Sequence, residues 1–322
     1  MSGLFAAAFL RQIGWDSDVY ERSDVELVGR GAGITTHEHI DTGVRVQFSG
    51  GRVEYADILL GGDGIRSGVR GTIMPQVQPV YAGYYIWRGA AKEADLSPRA
   101  LKEVFPYFSF FLPPQQEVIC YPISGFDNNL QPGHRRFNFI WYRVADAALL
   151  KQMCIDENGQ QHEHSVPPPL IRKDLVSALR EEAQDELPPA LNDCLSAIAQ
   201  PFFTPIYDFI APRIVSGRIA LIGDAAANAR PHMGFGVSKA ACDAQALAQA
   251  LGAYDDIDEA LAQYNRIRQP IGEIIVKHSR KLGTHMGVSL KTEEDRAMYA
   301  LLQDPRAMMD WIAVPHFLDA YR

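Results

Sequence analysis

The chain has 322 residues, 47% apolar and 22% charged, enough to bury a substantial core in one large domain or two smaller ones. Its formal net charge of -8 leaves no basic stripe to neutralise phosphates, which argues against a nucleic-acid partner and for small-molecule ligands. The four cysteines, Cys120, Cys154, Cys194 and Cys242, contain no C-x-x-C pair, so neither a disulfide framework nor a zinc site is expected and a reducing cytoplasm fits.

No apolar run reaches the length of a membrane span, and the first residues lack the basic-then-apolar order of a signal peptide. His162 and His164 sit in the polar stretch DENGQQHEHSVPPP with no further ligand nearby, so a solvated loop is expected there and no metal site.

In chain order, GLFAAAFLRQI predicts a helix stopped by Gly14. A short strand at 18–20 closes on Glu21-Arg22, and VGRGAGI follows as a glycine-rich turn. Two alternating runs then flank Gly50-Gly51, a hairpin signal, and the second of them, 53–60, ends in Gly61-Gly62-Asp63-Gly64. Residues 80–144 are aromatic-rich strand-like runs broken by Pro113-Pro114, Asp127-Asn128-Asn129 and Pro132-Gly133, the pattern of a meandering antiparallel sheet. Residues 170–200 predict two helices separated by Pro188-Pro189. The run GRIALIGDAAANARPHMGFGVSKAACDAQALAQAL, residues 217–251, reads as a strand ending in Gly223-Asp224, a proline-bearing loop, and an alanine-rich helix opening near Gly234 and Gly236. Helices over 257–283 and from 292 onward complete the chain. The order α/β, then β with helices, then α/β implies a nucleotide-binding domain interrupted by an inserted sheet domain.

Three segments carry chemistry. Gly3 opens a helix and Glu21 ends the next strand, the spacing of the back half of a dinucleotide fingerprint, with the acidic side chain placed to accept ribose hydroxyls. The first two glycines of G-x-G-x-x-G are absent, and a surface helix followed by an edge strand has nearly equal claim. GGDGIRSGVR, residues 61–70, offers glycines for close backbone approach and Arg66, Ser67 and Arg70 as donors; an ordinary tight turn is its plain alternative. Gly223-Asp224 places a carboxylate at a strand's carboxyl end ahead of a glycine-opened helix, the way a sheet presents itself to a nucleotide cofactor.

Taken together, Gly3 with Tyr20-Glu21-Arg22, the D-G segment 61–70 and the G-D segment 223–240 occur in the order and style of FAD-dependent aromatic hydroxylases of the para-hydroxybenzoate hydroxylase type. YYIWRGA, FNFIWYRV, Ser165-Val166-Pro167-Pro168, Arg230-Pro231-His232 and Lys239-Ala240 are similar to the branch of that family acting on dihydroxypyridines. The resemblance implies an α/β fold: a discontinuous FAD-binding, Rossmann-like domain with an incomplete first strand (1–78 and 203–290), an inserted mainly antiparallel β-sheet substrate domain (79–202), and C-terminal helices (291–322).

Carried over by motif, Glu21 would hold the adenosine ribose, with Arg22 and Arg30 on the adenosine or phosphate side. Asp63 and Gly64 would border the pyrophosphate, and Asp224 would bond ribityl or ribose hydroxyls. Pro231 would sit beside the flavin ring, with the helix start at Gly234 and Gly236 aimed at its pyrimidine end, where a helix amino terminus favours negative charge. The implied reaction is hydroxylation of an electron-rich aromatic or N-heterocyclic ring by NAD(P)H and O2 through a flavin hydroperoxide. His232 is the candidate base, against a purely packing role, and Tyr85, Trp87 and Arg88 are candidate substrate contacts, although strand alternation turns only about half of such residues inward.

A homodimer is compatible with the sequence, which does not determine the oligomeric state. The family's first strand and phosphate loop have no counterpart before Gly3, and only TTHEHI lies between Ile34 and Asp41 where the family has a longer segment. A chain shortened at its amino end and internally is therefore expected. Two other readings stay open, a non-catalytic relative poor in FAD and a nicotinamide-only dehydrogenase; the second is disfavoured because Gly223-Asp224 comes late, after the inserted sheet.

Overall fold

The computed structural model describes residues 1–21, 34–313 and 318. They form two units, one of residues 1–80, 207–283 and 310 onward, the other of residues 81–206 and 284–309. The sequence reading draws boundaries at 78, 202 and 290. Elements are numbered along the whole chain.

The first unit opens with helix α1 (Ser2–Gln12), in which Ser2, Ala6 and Leu10 recur every four residues and form its buried stripe. Gly14 follows at φ +86°, as a helix stop requires. Strands β1 (Ile34–Ile40), β2 (Gly43–Phe48) and β3 (Val53–Ala56) make an antiparallel meander. The β2–β3 turn carries Gly50 and Gly51, both at positive φ, so the expected hairpin forms where two glycines permit it. The next strand, β4 (Leu59–Gly61), lies in a different sheet, parallel to β11 (Ile219–Leu221), which also pairs with β10 (Val215–Ser216).

The run 53–60 is therefore two strands rather than the single one expected, because β3 and β4 take different partners on either side of Asp57-Ile58. Residues 18–20, expected as a strand, join no ladder among the described residues; Tyr20 instead packs its ring 4.7 Å from that of Phe48.

Helix α2 (Gly68–Ile73) is capped by Ser67, whose Oγ accepts the Arg70 N–H. Two long helices complete the unit: α7 (Gly236–Ala253) and α8 (Ile257–Leu282), the latter started by Asp256 accepting the N–H groups of Asp258 and Glu259. The core gathers Val44 and Val46 of β2, residues 219–222, Leu247 and Leu251 of α7, and Leu261 and Tyr264 of α8.

The second unit is built on β5 (Val80–Lys92), β6 (Ser109–Phe111), β7 (Glu117–Ile123) and β8 (Arg136–Val144), antiparallel in the order β5-β8-β7-β6, as the aromatic runs predict. Strand β9 (Phe202–Ile210), which the sequence reading does not anticipate, lies beside β5. The last residues of β9, which belong to the first unit, pair with β12 (Ala227–Asn228).

One face of the sheet carries Tyr85, Trp87, Val118, Phe137, Phe139 and Trp141 into a core closed by Leu179, Ala183, Leu191, Leu195 and Ile198. Those last five come from the stretch holding α5 (Lys173–Glu186) and α6 (Pro189–Ser196), the two helices expected around Pro188-Pro189. The opposite face carries Tyr84, Ile86, Ile119 and Tyr142. Short helices α3 (Pro98–Glu103) and α4 (Ala147–Met153) follow their strands, and α9 (Glu293–Leu302) and α10 (Pro305–Ala313) are the last α-helices among the described residues. No helix among the described residues is long and apolar enough to cross a membrane.

Candidate functional site

The carboxyl end of β4 runs into Gly62-Asp63-Gly64 and that of β11 into Gly223-Asp224, so two parallel neighbours deliver two aspartates at the same end of one sheet. Ligands of open α/β sheets collect at this end because the loops there are free of the ladder and the following helices point their amide groups at it. A cavity of about 550 Å³ opens beside β4 within the first unit. It is lined by Gly3, Glu21, Asp63 and Gly64, four residues singled out from the sequence, and by Trp15, Val19 and Tyr20 among others. That volume falls within the range of roughly 300–1,000 Å³ found for small-molecule sites.

Polar atoms in this lining suit a ligand rich in hydroxyl groups. Asp63 Oδ2 accepts the Val69 N–H at 3.2 Å, while its Oδ1 is buried with no hydrogen-bond partner. Ser17 Oγ, also in the lining, is likewise buried and unpartnered. Buried polar groups are normally satisfied, so an acceptor and a hydroxyl left open in one cavity mark where a bound group completes the bonding. Gly62 contributes by having no side chain: a β-carbon there would come within 3.2 Å of the Gly3 nitrogen. The carboxylates and the open hydroxyl fit the sugar portion of a dinucleotide such as FAD.

The second cluster surrounds Gly223-Asp224. Gly223 has φ +61°, and a β-carbon on it would overlap Ser2 Oγ, so glycine is required twice over. Its N–H donates to Asp243 Oδ2 at 3.0 Å, and Lys239 Nζ donates both to the Gly223 carbonyl and to Asp243 Oδ2, at 2.8 Å each. Arg268 Nη2 lies 2.7 Å from Asp243 Oδ1. Burial pushes the Asp224 carboxyl above its ordinary range, with nearby Lys239 acting in the opposite sense. Pro231 and His232 form a single 3-10 turn, Gly234 ends it at φ +66°, and Gly236 begins α7. None of these four lines the 550 Å³ cavity.

His232 is 2% exposed. Arg22 and Arg30 lie outside the described residues.

Four side chains read from sequence as ligand contacts have structural work instead. Ser67 caps α2. Arg70 is buried, donates to the carbonyls of Ile65 and Ala225, and stacks over the Phe209 ring at 4.0 Å. Tyr85 and Trp87 point into the core of the second unit, where both make edge contacts with Phe203. Two residues apart on a strand means the same face, so Tyr85 and Trp87 go in together and Arg88 goes to the other side. This corrects their expected role as substrate contacts and leaves Arg88 in place. Asn138 shares its face on the paired strand, two residues from Arg88's partner Ile140, and its Nδ2 is buried without a hydrogen-bond partner.

Sequence reasoning missed the ion cluster of Lys239, Asp243 and Arg268. The signal was present: a lysine and an aspartate four apart interrupt the alanine-rich face of α7. No group of metal-ligating side chains occurs among the described residues.

Residues 81–208 match the family model described as FAD binding domain-like. The chain is 27% identical to 2,6-dihydroxypyridine 3-monooxygenase of Paenarthrobacter nicotinovorans, covering 89% of each chain. It is thus similar in sequence to monooxygenases and hydroxylases of aromatic rings. That alignment runs over 364 positions, more than the 322 residues of this chain, so the chain is internally shortened against that enzyme. It is also 25% identical to salicylate hydroxylase of Pseudomonas putida over 70% of its residues and spans about half of that protein's length (51%).

Among solved structures, 2,6-dihydroxypyridine-3-hydroxylase from Arthrobacter nicotinovorans has the same fold, with a TM-score of 0.81 at 24% identity over 88% of this chain and 90% of that one. HpxO of Klebsiella pneumoniae, solved with FAD and uric acid, gives a TM-score of 0.64 at 22% identity over 87% of this chain and 64% of that one. The expected α/β architecture, with a mainly antiparallel second sheet and C-terminal helices, is the one these flavoprotein monooxygenases share.

Proposed function

We propose that this protein binds FAD and, with reduced nicotinamide and O2, hydroxylates an electron-rich aromatic or N-heterocyclic ring. The observation that carries the reading is the cavity beside β4, which brings Gly3, Glu21, Asp63 and Gly64 together with two open polar atoms, Asp63 Oδ1 and Ser17 Oγ. FAD, when bound, supplies the redox chemistry by taking electrons from the nicotinamide and passing them to O2. The chain's own residues do the rest. Glu21 and Asp63 accept hydroxyl groups of the cofactor, and Asp224 adds a third carboxylate at the neighbouring strand end. The first turn of α7, from Gly236, offers free backbone N–H groups to an anion.

Arg88 and the open Asn138 donor share one sheet face and suit the oxygen substituents of a hydroxylated ring. His232, next to Pro231, is the candidate to take a proton from such a ring. Four cysteines without a disulfide among them fit a cytoplasmic protein.

The test is a titration of the purified chain with FAD, followed by flavin fluorescence. Saturable one-to-one quenching, weakened by Asp63→Ala, is expected; the absence of saturable binding refutes the proposal. With FAD bound, oxidation of NADH or NADPH by O2 that is stimulated by a hydroxypyridine or hydroxybenzoate and yields the further hydroxylated ring then separates a hydroxylase from a non-catalytic flavin binder.

A further inference from the structure

The ion cluster under Gly223 is more elaborate than packing needs. Lys239 has 2% of its side chain exposed, Asp243 2% and Arg268 9%, and such groups are costly to bury unless every charge is answered. Here each is answered, and the answers converge on one backbone unit. Asp243 Oδ2 takes the Gly223 N–H, Lys239 Nζ gives to the Gly223 carbonyl, and the two side chains bond each other across one turn of α7. Arg268, from α8, holds the second oxygen of Asp243 through both Nε and Nη2, so Asp243 has one orientation available. The aliphatic stem of Lys239 lies against Gly272, where a β-carbon would come within 3.8 Å of Cε.

The Gly223 carbonyl belongs to the peptide that links it to Asp224. Whatever fixes the plane of that peptide fixes the backbone from which the Asp224 side chain departs. Resting on the FAD reading above, we propose that Lys239 is a positioning residue for the cofactor: it clamps the Gly223 carbonyl and thereby aims the Asp224 carboxylate. Lys239 also acts on the Asp224 carboxylate by charge, favouring its ionised form, while Asp243 acts in the opposite sense.

The test is a double-mutant cycle on FAD affinity, with Lys239→Met measured in the wild-type chain and in the Asp224→Asn chain. A residue acting through Asp224 loses its effect once Asp224 cannot respond, so about a tenfold weakening in the first background and under about twofold in the second are expected. Equal weakening in both backgrounds overturns the proposal and leaves Lys239 a purely structural part of the turn.

A second readout needs no cofactor. Carbon-13 NMR of the Asp224 carboxyl in the free chain follows its titration, to which Lys239 and Asp243 of α7 and the Met1 amino group contribute. Lys239→Met is expected to move that midpoint upward, and an unmoved midpoint counts against the proposal. If the wild-type chain binds no FAD, the proposed function fails while the NMR titration still decides whether Lys239 acts on Asp224. Should circular dichroism show Lys239→Met unfolded, Lys239→Gln, which keeps a donor and drops the charge, is judged by the same criteria.

Discussion

Replacing Gly223 with alanine tests how tightly α1 approaches the turn that follows β11. Gly223 sits at φ +61°, a conformation that costs an L-residue about 1–2 kcal/mol. The added methyl would also overlap Ser2 Oγ, stand 3.0 Å from Ser2 Cβ and 3.4 Å from Ala240 Cβ. Rotating the hydroxyl relieves the first contact but not the second, so an overpacking term of about 1–3 kcal/mol adds to the backbone term. A total loss of roughly 2–5 kcal/mol follows from the two together.

Gly14 supplies the control, since it has φ +86° in the same unit and nothing within 4 Å of the position an added methyl would take. Gly14→Ala should cost only the backbone term, about 1–2 kcal/mol. Urea unfolding of the three proteins, followed by circular dichroism, gives the difference directly. Equal destabilisation by the two substitutions would refute the reasoning, because it would mean that Ser2 and Ala240 do not crowd Gly223.

Trp87→Ala should destabilise the second unit by about 3–5 kcal/mol, as loss of a buried aromatic does, whereas Arg88→Met should leave the urea midpoint nearly unchanged and raise KM for the ring substrate. Asp224 has a folded-state pKa raised chiefly by burial, so its contribution to stability is complete below the ordinary carboxylate range and is lost as pH rises through the raised value. Thermal melts across pH should show that decline, and Asp224→Asn should remove it. Glu93 behaves in the opposite sense: hydrogen bonds from Arg135, together with the Gly133 and Arg135 N–H groups, hold its carboxyl below the usual range. Its stabilisation is present above the ordinary Glu range and is lost as pH falls through the depressed value, and Glu93→Gln should flatten the acid limb of the melting profile. His232→Asn should lower kcat and alter the acid limb of the kcat profile if His232 takes the substrate proton, because a base acts only when unprotonated; an unchanged profile would assign it to packing.

Much of the fold was legible because local chemistry and tertiary structure agree. Gly14, Gly50 and Gly51 all adopt the positive φ their positions called for, and the Ala-rich run after Gly236 is a helix. Strand β9 was missed because Phe202, Phe203 and Ile206 are spread around a proline, and its pairing with β5 is a long-range choice that no local pattern records. The split of residues 53–60 has the same cause, since one apolar run serves two sheets whose partners lie far away in sequence.

For the site, Gly3, Glu21, Asp63 and Asp224 could be singled out from the sequence as a pattern of glycines and carboxylates at the ends of expected elements, although each segment also had a plain structural alternative. The sequence also determined that one of each neighbouring strand pair would face inward. Only the tertiary structure decided which one, sending Tyr85 and Trp87 into the core and Arg88 to the opposite face. It alone showed Arg70 spent on carbonyls and an aromatic ring, and Lys239, Asp243 and Arg268 closing on one peptide. The physical reason is common to all of these. A side chain's type sets what it can bond, but its partner is chosen by the approach of segments distant in sequence, and that approach is set by the packing of the whole core.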